Sequence, residues 1–383
     1  MSNGLFIIQL AKIINLSNKK YKICFIVGTL TCGGTERQLY NYLKSLIPTE
    51  FSPYVLCLTK GDYWEEKIVK LGFPIIHTGS KKFVLYKLFK LFINIRRINP
   101  DIIYSTHFFV NAYAGLIGRI LNIPIIGSVR SDFFSEIDAL NFLYKKFAVR
   151  YPSVLIANSK KAIENIKHLY NNLDIRLVNN FVDNNKFYFV PKKESNRFII
   201  LTVGRLTHEK RHDRFINIIK SIINSVGNQY HIVGVIAGSG RINENLELKL
   251  KEQAKKLGLG DNNLKFLGSV DDIENVYRNS DLLLLSSKFE GSPNCVLEAM
   301  ASGLPVISTK VGSIPEIIKH GESGFVIDPY DEDEFVSYIL NIIHNKELKN
   351  KLGISGQSII EKNFLAKNFN DNMKQILIDI LPK

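Results

Sequence analysis

Short apolar runs, each followed by a small-residue loop and then a helical pattern, restrict this chain most. The clearest case begins at Asp281 to Ser286, DLLLLS. Such a run is too short for a helix and apolar on both faces, so it predicts a doubly buried strand. The loop Gly291, Ser292, Pro293, Asn294 follows, then a helix from Cys295 to Ser302. Ser292 reads as the N-cap, and Pro293 as a first-turn residue, where a missing N–H costs nothing. Gly303 ends the helix, and Leu304 to Ser308 is the next strand. Strand, loop, helix, strand is the layout of a right-handed βαβ crossover.

This layout has chemical consequences. A helix start offers unpaired N–H groups and the positive end of a dipole, which attract phosphate. Glu290 precedes that helix and Glu298 lies within it, eight residues on. Both can accept hydrogen bonds from hydroxyls. Phosphate on N–H groups, flanked by two hydroxyl acceptors, describes a nucleotide-sugar.

The same alternation runs through the chain. Tyr21 to Val27 predicts the first strand; Gly28, Gly33 and Gly34 form a loop that lets backbone approach a ligand, and Thr35 caps a helix to Leu46. Further strands are expected at Tyr54–Thr59, Pro74–His77, Asp101–Ser105, Pro124–Val129, Ser153–Ala157 and Ile175–Val178. His107 and Arg130 follow two of them, at the strand ends where open sheets bind ligands. Phe187 to Arg197 is polar and proline-containing and reads as a linker. Beyond it, strands at Phe198–Val203, His231–Ala237 and Leu264–Leu267 lead into Gly204–Arg205, Gly238–Ser239 and Gly268–Ser269. Gly324–Asp328 is a late strand, and Asp331–Ile343, Glu347–Lys362 and Ala366–Ile380 are helices.

A chain of 383 residues is too long for one core, so two domains are expected, 1–190 and 191–364. Charge divides unevenly between the halves. Residues 1–190 carry 25 Lys and Arg against 12 Asp and Glu; residues 191–383 carry 25 against 24. The first half is basic enough to seek an anionic surface, membrane or nucleic acid. No run reaches the ~20 apolar residues of a membrane-spanning helix. Leu5 to Leu16 is apolar but short, and an interfacial helix and a disordered or mis-assigned start are both open for it. The helix expected from Lys81 to Ile98 places Lys87, Lys90, Asn94 and Arg97 on one face, which suits either a core crossover or an anionic lipid surface. Cys24, Cys32, Cys57 and Cys295 show neither zinc nor disulfide spacing and fit a reducing cytoplasm.

With its Glu290 and Glu298, the central unit resembles the E-x7-E signature of the retaining glycosyltransferases of family 4. The resemblance is strongest over 198–328. It implies the GT-B fold: α/β, two doubly wound parallel-sheet domains of Rossmann type facing across a cleft. By the same resemblance, the last helix (365–383) packs back on the first, acceptor-binding domain. Gly33 and Gly34 meet the distal phosphate or sugar, and His107 touches the donor sugar. Gly204, Arg205 and Lys210 match the family's G-R…K pattern, the two cations flanking the diphosphate. Gly238 and Ser269 lie near the nucleotide. Glu290 binds the transferred sugar and Glu298 the ribose, while Asn294, Cys295, Val296 and Leu297 offer backbone N–H groups. Arg130 is an acceptor-side candidate. Asn179 to Asp183 resembles the family's N-G-[IV]-D segment, with Phe181 in place of the glycine.

The expected reaction is transfer of a hexose from a UDP- or GDP-sugar to a hydroxyl of a glycan or lipid-linked glycan, in surface polysaccharide or lipopolysaccharide synthesis. A departing diphosphate gains charge, which cationic side chains can meet without metal or other cofactor. The expected location is cytoplasmic, peripheral on the inner face of the cell membrane. A metal-dependent GT-A enzyme needs D-x-D at a strand end; Asp331-Glu332-Asp333 instead opens a helix, where acids are favoured anyway. A nucleotide-sugar 2-epimerase is the enzyme alternative. A nucleic-acid binder is disfavoured, since no recognition helix, zinc pattern or RNP motif is present.

Overall fold

A computed structural model of the chain describes residues 20–46, 49–79, 83–138, 141–192, 195–240, 245–327 and 331–381. The apolar stretch Leu5 to Leu16, Lys81, Lys82 and Asp328 lie outside the described residues. In chain order come β1 (Tyr21–Val27), α1 (Gly34–Leu46), β2 (Phe51–Cys57), α2 (Glu65–Lys70), β3 (Ile75–His77), α3 (Val84–Ile98), β4 (Ile102–Ser105), α4 (Phe108–Leu121), β5 (Ile125–Val129), α5 (Phe133–Asp138), α6 (Phe142–Arg150), β6 (Val154–Ala157), α7 (Lys160–Leu169) and β7 (Ile175–Leu177). Then follow β8 (Arg197–Val203), α8 (His212–Val226), β9 (His231–Ala237), α9 (Leu246–Lys256), β10 (Leu264–Gly268), α10 (Ile273–Arg278), β11 (Leu282–Leu285), α11 (Asn294–Ala301), β12 (Val306–Thr309), α12 (Ile314–Ile317), β13 (Phe325–Ile327), α13 (Glu332–His344), α14 (Lys346–Asn363) and α15 (Ala366–Ile380).

The chain forms two compact units, one of 1–158, 162–178 and 369–383, the other of 159–161 and 179–368. Each is built on one all-parallel sheet. Strand order is β3-β2-β1-β4-β5-β6-β7 in the first and β10-β9-β8-β11-β12-β13 in the second. Parallel strands covered on both faces must be apolar throughout, and β11 is four buried leucines. Both sheets reverse strand order once, between β1 and β4 and between β8 and β11. At such a reversal the two crossovers leave to opposite sides and open a crevice at the strands' carboxyl ends. The loops after β1 and β4 carry Gly33 and His107; those after β8 and β11 carry Lys210 and Glu290.

Several boundaries differ from the sequence reading. The chain passes from one unit to the other at 178/179, ahead of the segment read as a linker. Phe187 is no linker residue: it is 6% exposed and meets Tyr277 edge-on at 5.6 Å. Apolar side chains within a polar stretch were enough to bury its start. Helix α1 begins at Gly34, so Thr35 lies inside its first turn. Helix α11 begins at Asn294 with Pro293 as N-cap (φ −73°, ψ 114°), not Ser292. Proline fixes φ near the helical value, but here ψ stays extended, so Pro293 is the cap and the helix starts at Asn294, one residue before the Cys295 expected. Helix α4 lacks a polar stripe because it is buried nearly all round, so its periodicity is faint in the sequence.

Helix α15 belongs to the first unit. Its Phe369 stacks edge-on against Tyr42 at 4.9 Å, Lys374 pairs with Glu50 at 2.9 Å, and Asp379 with Arg176 at 2.5 Å.

Candidate active site

In the second unit the switch point assembles a charged pair. Lys210 ends a 3-10 turn (His208–Lys210) after β8, and Glu290 follows β11. Lys210 Nζ lies 2.6 Å from Glu290 Oε1, with the side chains 20% and 9% exposed. Ser287 Oγ donates to the same oxygen at 2.7 Å. No partner for Glu290 Oε2 is present among the described residues. Burial by itself would lower the Lys210 ammonium, but the adjacent carboxylate outweighs it and holds the pKa above the usual lysine range. Lys210 is therefore held protonated, a fixed cation beside the Glu290 carboxyl group.

The other predicted residues of this unit lie around that pair. Arg205 is exposed and close enough for its charge to act on Lys210. Cys295 is buried; burial first, then Glu290 and Glu298 against Lys210, pushes its thiol up to about 12. It stays protonated and is unsuited to act as a nucleophile. Glu298 is 4% exposed, and its Oε2 accepts from Tyr277 at 2.9 Å. The side chains of Val296 and Leu297 face the core, and the Val296 N–H is taken by the Pro293 carbonyl at 3.2 Å. Of the backbone donors expected at this helix start, Val296 is therefore already occupied.

Glycines bring the neighbouring loops together. A Cβ on Gly238 (φ +149°) would lie 1.9 Å from the Gly204 carbonyl, so the β8 and β9 loops touch through bare backbone. Ser239 and Ser269 meet beside them, their hydroxyls 2.9 Å apart. A Cβ on Gly312 (φ +52°) would lie 2.4 Å from the Glu290 carbonyl. Asn180 anchors the start of α11, donating to the Ser292 carbonyl and to Asn294 Oδ1, each at 2.9 Å. The hydroxyls of Ser292 and Ser313 are buried and have no partner among the described residues. Buried polar groups seldom stay unpaired, so a ligand or water is expected to meet them.

The first unit holds a second cluster. The Gly28 N–H points to His107 Nδ1 at 3.3 Å, so that nitrogen accepts and Nε2 carries the proton. Nε2 then donates to Glu36 Oε1 at 3.3 Å, which also accepts from Thr29 Oγ1 at 3.0 Å. Gly33 leaves room for this carboxylate: a Cβ there would lie 2.3 Å from Glu36 Oε2. Gly34 opens α1 beside it. Arg130 donates to the Tyr104 hydroxyl at 2.7 Å. Close by, burial and then Asp132, against Arg130, push the Glu136 carboxyl up to about 8.

Asn180 stood in the segment that resembles N-G-[IV]-D but without a role, and sequence reasoning missed Glu36, Tyr277 and Ser287. For Glu36 a signal was present, since an acid in the first turn after a glycine pair faces the loop. The others owe their place to chain folding alone.

Two Rossmann-like parallel-sheet domains are the architecture of the GT-B class of sugar-transferring enzymes. The sequence profile described as Glycosyl transferases group 1 matches residues 183–358, and that of Glycosyltransferase Family 4 matches residues 32–186. The chain belongs to the family 4 type of glycosyltransferases. It is 26% identical over 95% of its length, and 98% of the relative's, to the Escherichia coli UDP-Gal:alpha-D-GlcNAc-diphosphoundecaprenol alpha-1,3-galactosyltransferase. It is 27% identical to the N-acetyl-alpha-D-glucosaminyl L-malate synthase of Bacillus anthracis, over 62% of each chain. The crystal structure of Anabaena HepE in complex with UDP-glucose superposes with a TM-score of 0.81 at 20% identity, covering 94% of this chain and 99% of that one.

Proposed function

We propose that this enzyme moves a hexose from a nucleotide-sugar to a hydroxyl of a glycan or lipid-linked glycan, with retention of anomeric configuration and without a metal. The Lys210–Glu290 pair carries this reading. The diphosphate of the donor lies against Lys210 and Arg205, and Glu290 Oε2 takes a hydroxyl of the sugar. Glu298, held by Tyr277, serves the ribose. The bond from the anomeric carbon to phosphate breaks while the acceptor oxygen bonds to that carbon from the same face. The acceptor's proton passes to the departing phosphate oxygen. Charge thus grows on the diphosphate, and Lys210, kept protonated, is already in place to meet it.

Relatives support the acceptor class. The Escherichia coli relative is named for a diphosphoundecaprenol-linked sugar, and a Campylobacter jejuni relative, 26% identical over 86% of this chain, for a PP-undecaprenol glycan. We extend this to surface glycan synthesis at the cytoplasmic face of the membrane, with the basic first half of the chain against anionic lipid. No helix among the described residues is long and apolar enough to cross a bilayer.

A panel of UDP- and GDP-sugars without acceptor tests the donor half. One donor should release nucleoside diphosphate slowly, with no effect of chelator. Glu290→Gln and Lys210→Ala should each slow that release about a hundredfold or more. Release that needs a divalent cation, or that survives both substitutions, would sink the proposal.

A further inference from the structure

Helix α3 (Val84–Ile98) has two apolar faces, and only one is used by the core. Leu91, Ile95 and Ile98 are buried, with Leu88 and Phe92 packed beside them. On the opposite side Leu85, Phe89 and Ile93, spaced four apart and so in line along the helix, are 80%, 60% and 37% exposed. Phe83, the N-cap, is 75% exposed. A row of this kind is uncommon on a surface that meets only water. It is also the side of the helix that a purely structural crossover would fill with polar residues.

Charge decides what covers it. Lys90, Arg96 and Arg97 flank the row, and the sequence holds no Asp or Glu from residue 67 to residue 100, against eight Lys and Arg. A second copy of the same face would set cation against cation. A protein groove for this row would need its own carboxylates at the rim. An anionic bilayer offers both requirements at once, acyl chains for the apolar tips and headgroup charge for the cations.

We propose that the outer face of α3 is a membrane-docking surface, with Leu85, Phe89 and Ile93 entering the interface of an anionic bilayer and Lys90, Arg96 and Arg97 lying at the headgroups. This deepens the reading of a lipid-linked acceptor. Such an acceptor is confined to the membrane plane, so an enzyme resting there searches two dimensions instead of three. The long stems of the cations let them reach the headgroups while the helix lies flat.

The test is sedimentation of the full chain with vesicles of phosphatidylcholine containing about one-third phosphatidylglycerol, against pure phosphatidylcholine. Wild type should bind the anionic vesicles and bind the neutral ones at least about tenfold more weakly. Leu85→Ser with Phe89→Ser should weaken anionic binding about tenfold, and Arg96→Gln and Arg97→Gln about fivefold each. Donor hydrolysis without vesicles should be unchanged in all of them, which shows an intact fold. That hydrolysis also reports on the transferase reading separately from the docking. Equal binding to both vesicle types, or variants that bind as wild type does, would overturn the proposal. So would a loss of dimer mass, or of oligonucleotide binding, in the Leu85/Phe89 variant, since either would assign the face to another partner.

Discussion

His212, 3% exposed at the start of α8, presents Nε2 to the Arg205 carbonyl at 3.1 Å. Its Nδ1 has no partner among the described residues. Burial first, with Lys210 adding to it, brings its pKa down to about 4, so at neutral pH the ring is uncharged and Nε2–H donates. The histidine thus fixes the loop that displays Arg205. Unfolded, the ring titrates near ~6.5. Its contribution to stability is full above that pH and falls as pH drops toward 4, where the unfolded chain binds the extra proton. The expected loss by pH 4 is about 3 kcal/mol. Urea midpoints at pH 7, 5 and 4 should show His212→Gln losing part of the wild type's pH dependence; parallel curves would exclude this role. Lys210 and Glu290 were legible in the sequence through motifs that resemble those of family 4, while their pairing came from the structure. Ser287 and Tyr277 were not, because a serine or tyrosine carries no sign of which carboxylate it will reach.

At the scale of elements, the proposed donor site depends on loops that touch through backbone. Gly238 lies against the Gly204 carbonyl, and neither backbone can move without shifting β8 or β9. Gly238→Ala is expected to cost about 3 kcal/mol or more and to weaken donor binding with it. Thermal unfolding together with nucleotide titration checks this, and an unshifted melting temperature would contradict it. Strands were read well, since runs such as β11 are apolar on both faces and too short for anything else. Helices were read by their amphipathic stripe, so α3 was found and α4, buried on nearly every side, was not. The stripe on α3 still misled in one respect. Its basic residues were visible, but which apolar face met the core and which met solvent depended on where β2 and β4 lay.

For the molecule as a whole, the C-terminal helix is the element that sequence order places farthest from its partners. Phe369, Met373, Ile376 and Leu377 of α15 are 4%, 0%, 3% and 1% exposed within the first unit. Ending the chain after Leu365 uncovers their neighbours and should lower the stability of that unit by about 5 kcal/mol or more. The single tryptophan, Trp64, lies in the same unit and reports its unfolding. A Trp64 fluorescence transition unmoved by the truncation would refute the expectation. By itself the sequence determined the parallel α/β class and the strand-end loops, because these rest on local periodicity, and it singled out Lys210 and Glu290 by their resemblance to family motifs. Only the tertiary structure decided that Tyr277 holds Glu298, that Glu36 holds His107, and that one side of α3 stays bare. Such pairings join residues distant in sequence, and no local pattern records which surfaces will meet once both sheets are covered.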